Sequence, residues 1–124
     1  MYTLFMLIAD IIAGLLDIKK LKNRVAILEM RTKKAEAALE NVNARLATAI
    51  RGHSVERFDP FQNAGGQQSF SAALVTERGD GVVISGIHAR DGVRVYAKPV
   101  SKFSSERELS EDEQRAIAEA KKKL

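Results

Sequence analysis

The chain has 124 residues, no cysteine and a net charge of +4, which bounds it to one small domain with accessories and excludes disulfides and thiolate metal sites. Residues 1–52 carry nine Lys/Arg against five Asp/Glu and residues 53–124 carry eleven of each, so the whole excess sits in the amino-terminal part. A nucleic-acid-binding head would concentrate basic charge on itself, and this one does not. Nucleic acid is not expected as a partner.

Residues 1–17, MYTLFMLIADIIAGLLD, are apolar on all sides from Leu4 to Leu16 apart from Asp10. Such a helix is buried or in lipid, yet thirteen residues reach only roughly 20 Å against a hydrocarbon core of about 30 Å. With no basic n-region and no small-x-small cleavage site, a signal peptide is not expected. The segment is read as membrane-associating, with Lys19, Lys20, Lys22 and Arg24 as a membrane-proximal basic cluster on the cytoplasmic side. The rival reading is the adhesive end of a soluble helical bundle.

Residues 18–52 continue the helix without Pro or Gly until Gly52, and the whole stretch reads as a coiled coil. In sevens, the a positions are Leu4, Ile11, Ile18, Val25, Thr32, Leu39 and Leu46; the d positions are Leu7, Gly14, Leu21, Leu28, Ala35, Val42 and Ala49. Seven heptads in one register far exceed the three or four that identify a coiled coil. Branched residues at a with Leu at d favour a parallel dimer, a trimer or higher remaining allowed. The charges agree, since the g–e′ pairs of a parallel pair are Asp17 with Lys22, Arg24 with Glu29 and Arg31 with Glu36.

Residues 53–124 form a small domain. HSVERF predicts a strand, three more follow at about 69–76, 82–88 and 93–98, and Asp80-Gly81 and Asp91-Gly92 mark hairpins between them. A helix closes the chain, with Ser110 as N-cap and Glu113 completing a capping box. The fold class is α+β: a long helix, an antiparallel meander and a packing helix. Alternation gives Phe70, Ala72, Leu74, Val93, Val95 and Ala97 one face and Ser69, Ser71, Ala73, Val75, Arg94, Tyr96 and Lys98 the other. The apolar set is expected under the final helix. The other set is expected to face solvent, where Arg94, Tyr96 and Lys98, with Arg90 at the turn and Arg57 on the next strand, form a candidate site for an anionic ligand or partner.

Enzymatic signals are weak. His53 and His88 lack a third convergent group for metal or nucleophile chemistry. GGQQS lacks the lysine and helix of a phosphate loop, and RGD at 78–80 is absorbed by a hairpin. No catalytic residue, metal or cofactor is expected.

The pieces ERFDPF, GGQQSFSAALV, GDGVVISGIHAR, RVYAKPV and LSEDEQRAIAEA, in that order from Val55 to Ala120, resemble a bacterial family, the domain of unknown function 4446. The positions matching its motif are Arg57, Phe58, Phe61, Gly65, Gly66, Ser69, Phe70, Arg90, Tyr96 and Lys98; Gln67 stands where members commonly carry an acid. The resemblance implies an apolar amino-terminal anchor, a helical stretch and this domain, with no activity or cofactor attached. The resulting expectation is a non-enzymatic, membrane-associated homo-oligomeric scaffold on the cytoplasmic face of the bacterial inner membrane. Its coiled coil is seamed by Ile11, Ile18, Leu21, Val25, Leu28, Leu39, Val42 and Leu46 and presents the head to an unknown protein or anionic ligand. A soluble cytoplasmic adaptor and a small anionic-ligand-binding head are the alternatives.

Overall fold

A computed structural model describes residues 2–60, 66 and 68–124 of the chain. Its elements are α1 (Tyr2–Ala47), β1 (Gly52–Phe58), β2 (Ser69–Val75), β3 (Gly81–Ala89), β4 (Gly92–Val100) and α2 (Glu111–Lys122). They fall into two compact units, Met1–Asn43 and Ala44–Leu124.

From Tyr2 on the first unit is helix, and none of its described residues is buried. The expected seam is continuous helix, with side chains such as Leu21, Leu28 and Leu39 more than half exposed. Thr32, the polar residue at an a position, turns its hydroxyl back onto the Leu28 carbonyl at 2.8 Å. That bond satisfies the oxygen within the helix. The helix stops at Ala47 rather than running to Gly52. The i→i+3 bonds from Thr48 N to Arg45 O and from Ala49 N to Leu46 O tighten its end, and Ala49 lies in the turn beyond. Among the described residues no helix is long and apolar enough to cross a membrane.

In the second unit the four strands pair antiparallel in chain order, β1-β2-β3-β4. Ser110 accepts a hydrogen bond from Glu113 N, and the Glu113 carboxylate accepts from Ser110 N, completing the capping box at the start of α2. On the solvent side Lys122 donates to Glu119 at 2.8 Å, which holds that carboxyl below its usual range and raises the ammonium. Both hairpin turns differ in detail from the sequence expectation. Between β2 and β3 the residue with positive φ is Gly79, not Gly81; Thr76 N bonds Asp80 O and Gly79 N bonds Thr76 O around it. Between β3 and β4 the two-residue loop is Arg90-Asp91, because Ala89 pairs with Gly92. A turn at Lys102-Phe103, both at positive φ, then sets Phe103 against Gly79 and under the ammonium of Lys121, 4.6 Å from the ring centroid.

The largest departure concerns which face is covered. The expected inner face, Phe70, Ala72, Leu74, Val93, Val95 and Ala97, is the open one. The face under α2 carries Ser54 from β1, Ser69, Ser71, Ala73 and Val75 from β2, and Val83 and Ser85 from β3, all buried. The physical reason is size. The inner stripe of α2 is Ala116, Ile117 and Ala120, and small residues on both sides let helix and sheet approach closely. At Gly52 a Cβ would come within 2.5 Å of the Ala120 carbonyl oxygen. β3, apolar on both faces in sequence, is thereby sorted: Val83 and Ser85 inward, Val82 and Ile84 outward.

Gly52→Ala therefore overpacks the helix–sheet contact and is expected to cost about 1–3 kcal/mol. Gly14→Ala, in open space on α1, is expected not to destabilise. Urea unfolding of the full-length variants measures both.

Candidate functional site

On the covered face Ser71, Ser85, Glu113 and Lys98 form one connected network. Ser71 and Ser85 share a hydrogen bond of 2.7 Å across β2 and β3. Ser85 Oγ donates to Glu113 Oε1 at 3.0 Å, and Lys98 Nζ reaches Glu113 Oε2 at 2.9 Å and the Glu108 carbonyl at 2.7 Å. Ser54 donates to the Ala116 carbonyl, and Ser69 accepts from His88 N at 2.9 Å. Among the described residues no buried side-chain polar atom lacks a partner. The Glu113 and Lys98 side chains are only 5% and 20% exposed, so this ion pair is shielded from solvent, and its breakage costs far more than loss of a surface pair.

This network divides the expected anion-binding cluster. Lys98 does not project to solvent; its ammonium is held by α2 and the segment leading into it. Arg94 and Tyr96 share its face of β4 and are exposed. Arg90 lies in the β3–β4 turn. Arg57 is on the other face, since its register partner is Phe70 and that of Phe70 is Gly86. The arrangement leaves Arg94 and Tyr96 as neighbours able to meet an anion, with Lys98 committed to the fold. Both histidines lie on the open face, His53 beside the row of Leu74 and Val82, and His88 paired with Val93. Among the described residues no three His, Asp or Glu come together as metal ligands. Of the positions that matched the family motif, Phe61 and Gly65 lie outside the described residues, as does Gln67.

Sequence reasoning missed Ser71, Ser85 and Glu113 as a unit. A usable signal was present: Glu113, Ala116, Ile117 and Ala120 recur at helical spacing on one face of α2. A carboxylate on a helix's inner stripe demands donors opposite it, and serines supply them better than valines.

Among the described residues, the valine-rich sheet face is left open. Val55, Val93 and Val95 are 63%, 59% and 65% exposed, and Leu74, Ile84 and Phe70 lie between them. Phe70 lies across Gly86, where a Cβ would come within 2.5 Å of its ring.

Comparison with known families assigns residues 12–121 to the family described as protein of unknown function DUF4446, a span reaching well into α1 as well as the head. No curated protein and no solved structure matches the chain.

Lys98→Met should lower stability by about 2–3 kcal/mol, because it strands a buried carboxylate. Arg94→Ala should stay within about 0.5 kcal/mol of the parent. Chemical denaturation of both variants separates the structural cation from the surface one. With 110 of its 124 residues matched, the chain belongs to the DUF4446 family.

Proposed function

We propose that this protein is a non-enzymatic, oligomeric scaffold. In this reading α1 zips with α1 of a second copy in parallel, and the amino-terminal end associates with the cytoplasmic face of a membrane. The observation that carries it is a helix of 46 residues with no buried residue of its own. A helix draws most of its stability from packing an apolar face, and at about 1.5 Å per residue this one presents nearly 70 Å of seam. Val25, Leu28 and Thr32 line a shallow depression on it, flanked by Glu29, Lys33 and Glu36. Such a hole suits a knob from a facing helix, and the opposite-sign g–e′ pairs favour a parallel copy over an antiparallel one.

Membrane association rests on the first seventeen residues and the cations Lys19, Lys20, Lys22 and Arg24 that follow them. Because no described helix has an apolar run long enough to span, the mode proposed is insertion into one leaflet, with the basic cluster at anionic headgroups. The exposed pair of Arg94 and Tyr96 gives the head a place to meet an anionic partner.

Sedimentation equilibrium of the full chain is expected to return at least twice the monomer mass at micromolar concentration, and Leu21→Asp with Leu28→Asp to return a monomer. A monomeric parent would end the coiled-coil reading. Co-sedimentation with anionic vesicles should be strong for the parent and lost in Leu7→Asp with Ile11→Asp. Retention by that variant would remove the anchor.

A further inference from the structure

The open sheet face is the apolar surface that the described residues of the head leave exposed. We infer that its occupant is the same face of a second head, so that the two sheets stack into a sandwich at the carboxy-terminal end of the stalk. The inference rests on the stalk proposed above, and its test separates the two.

Charge argues for a like surface. Of the strand residues on this face, Arg57 alone carries a formal charge at neutral pH, and it sits on the edge strand β1. The centre is Ala72 and Ile84, flanked by Phe70, Leu74 and Val95. A self-complementary contact about a two-fold axis therefore brings apolar centre to apolar centre and leaves the guanidinium groups on the rim. An anionic bilayer or a strongly acidic partner would select a cluster of cations here, and the face does not carry one. Stacked antiparallel sheets with alternating inward residues are a standard two-layer solution.

Area decides why a stalk is needed. Four strands about 4.8 Å apart and seven residues at about 3.4 Å rise make a face of roughly 19 by 24 Å. Two copies thus bury on the order of 900 Å², short of the roughly 1,200–2,000 Å² of stable complexes between freely diffusing partners. A tether changes this. Between the end of α1 at Ala47 and β1 lie residues 48–51, and Arg51 N already bonds Val75 O of the sheet. So short a link holds two heads on one stalk at an effective concentration in the millimolar range, which a weak contact can saturate.

The absence of native cysteine makes thiol crosslinking of the full chain clean. Leu28→Cys reports the stalk, Ile84→Cys the sheet face and Ala118→Cys, exposed on α2, the background. Each is treated at low micromolar concentration with a bis-maleimide matched to the ~10 Å spacing of stacked sheets. Linked dimer is expected at positions 28 and 84, at least ten-fold above position 118. Adding Val95→Asp should abolish linkage in the Ile84→Cys chain and leave it intact in the Leu28→Cys chain. Circular dichroism confirms that each variant is folded. Linkage at 28 without linkage at 84 overturns the stacked heads and leaves the face to lipid or a different protein. Linkage at 84 without 28 keeps the stacking and removes the stalk. Linkage at neither overturns both.

Discussion

The Glu113 carboxylate is the interaction on which the head depends. One oxygen takes a hydrogen bond from Ser85 and the other from Lys98 and the Ser110 amide, so a single side chain caps α2 and binds it to two strands. A buried carboxylate is tolerated only when its lone pairs are met, and here donors from the sheet and the cap meet them. The register follows. Ser71 completes the chain of hydroxyls behind Ser85, and Ser54 ties the middle of the same helix to β1. Small size together with matched polarity selects the face that α2 covers, around a core of Ala73, Val75, Val83, Ala116, Ile117 and Ala120.

That selection has a consequence for the rest of the molecule. With the serine and alanine face covered, the valine-rich face has no cover among the described residues of the head, and a single helix cannot protect both sides of a four-stranded sheet. The stalk repeats the situation, since its heptad seam lies on a helix without a buried residue. Two apolar surfaces in one small chain are an unusual concentration of unpartnered area. Each has the apolar pattern on which the proposed association rests. The membrane-associated scaffold proposed for this DUF4446 member is the reading that uses both.

Much of this architecture is legible in the sequence because local chemistry dictates it. The long helix α1, the capping box at Ser110 and Glu113, the four strands and their order depend on neighbours a few residues apart, and alternation correctly groups the residues of each face. What alternation does not supply is the sign of the packing. Choosing the inner face by apolarity failed because α2 itself brings a carboxylate and two alanines to the interface, so its complement is small and hydroxylated. The same inversion moves Lys98 from a candidate site residue to a structural one, and strand register puts Arg57 on the opposite face from Arg94. Helix and turn ends were off by a few residues for a local reason: Gly79, rather than the Asp-Gly pair that follows it, takes the left-handed conformation, and i→i+3 bonds close α1 before the glycine that was read as its stop.

The side of the sheet that α2 covers decides which side stays open, and methyl nuclear Overhauser effects in the full-length protein test it most directly. The account predicts cross-peaks from the Ala116 and Ala120 methyls to Ala73 and Val75. Cross-peaks from those alanines to Ala72, Ile84 or Val95 instead would place α2 on the valine face and contradict it.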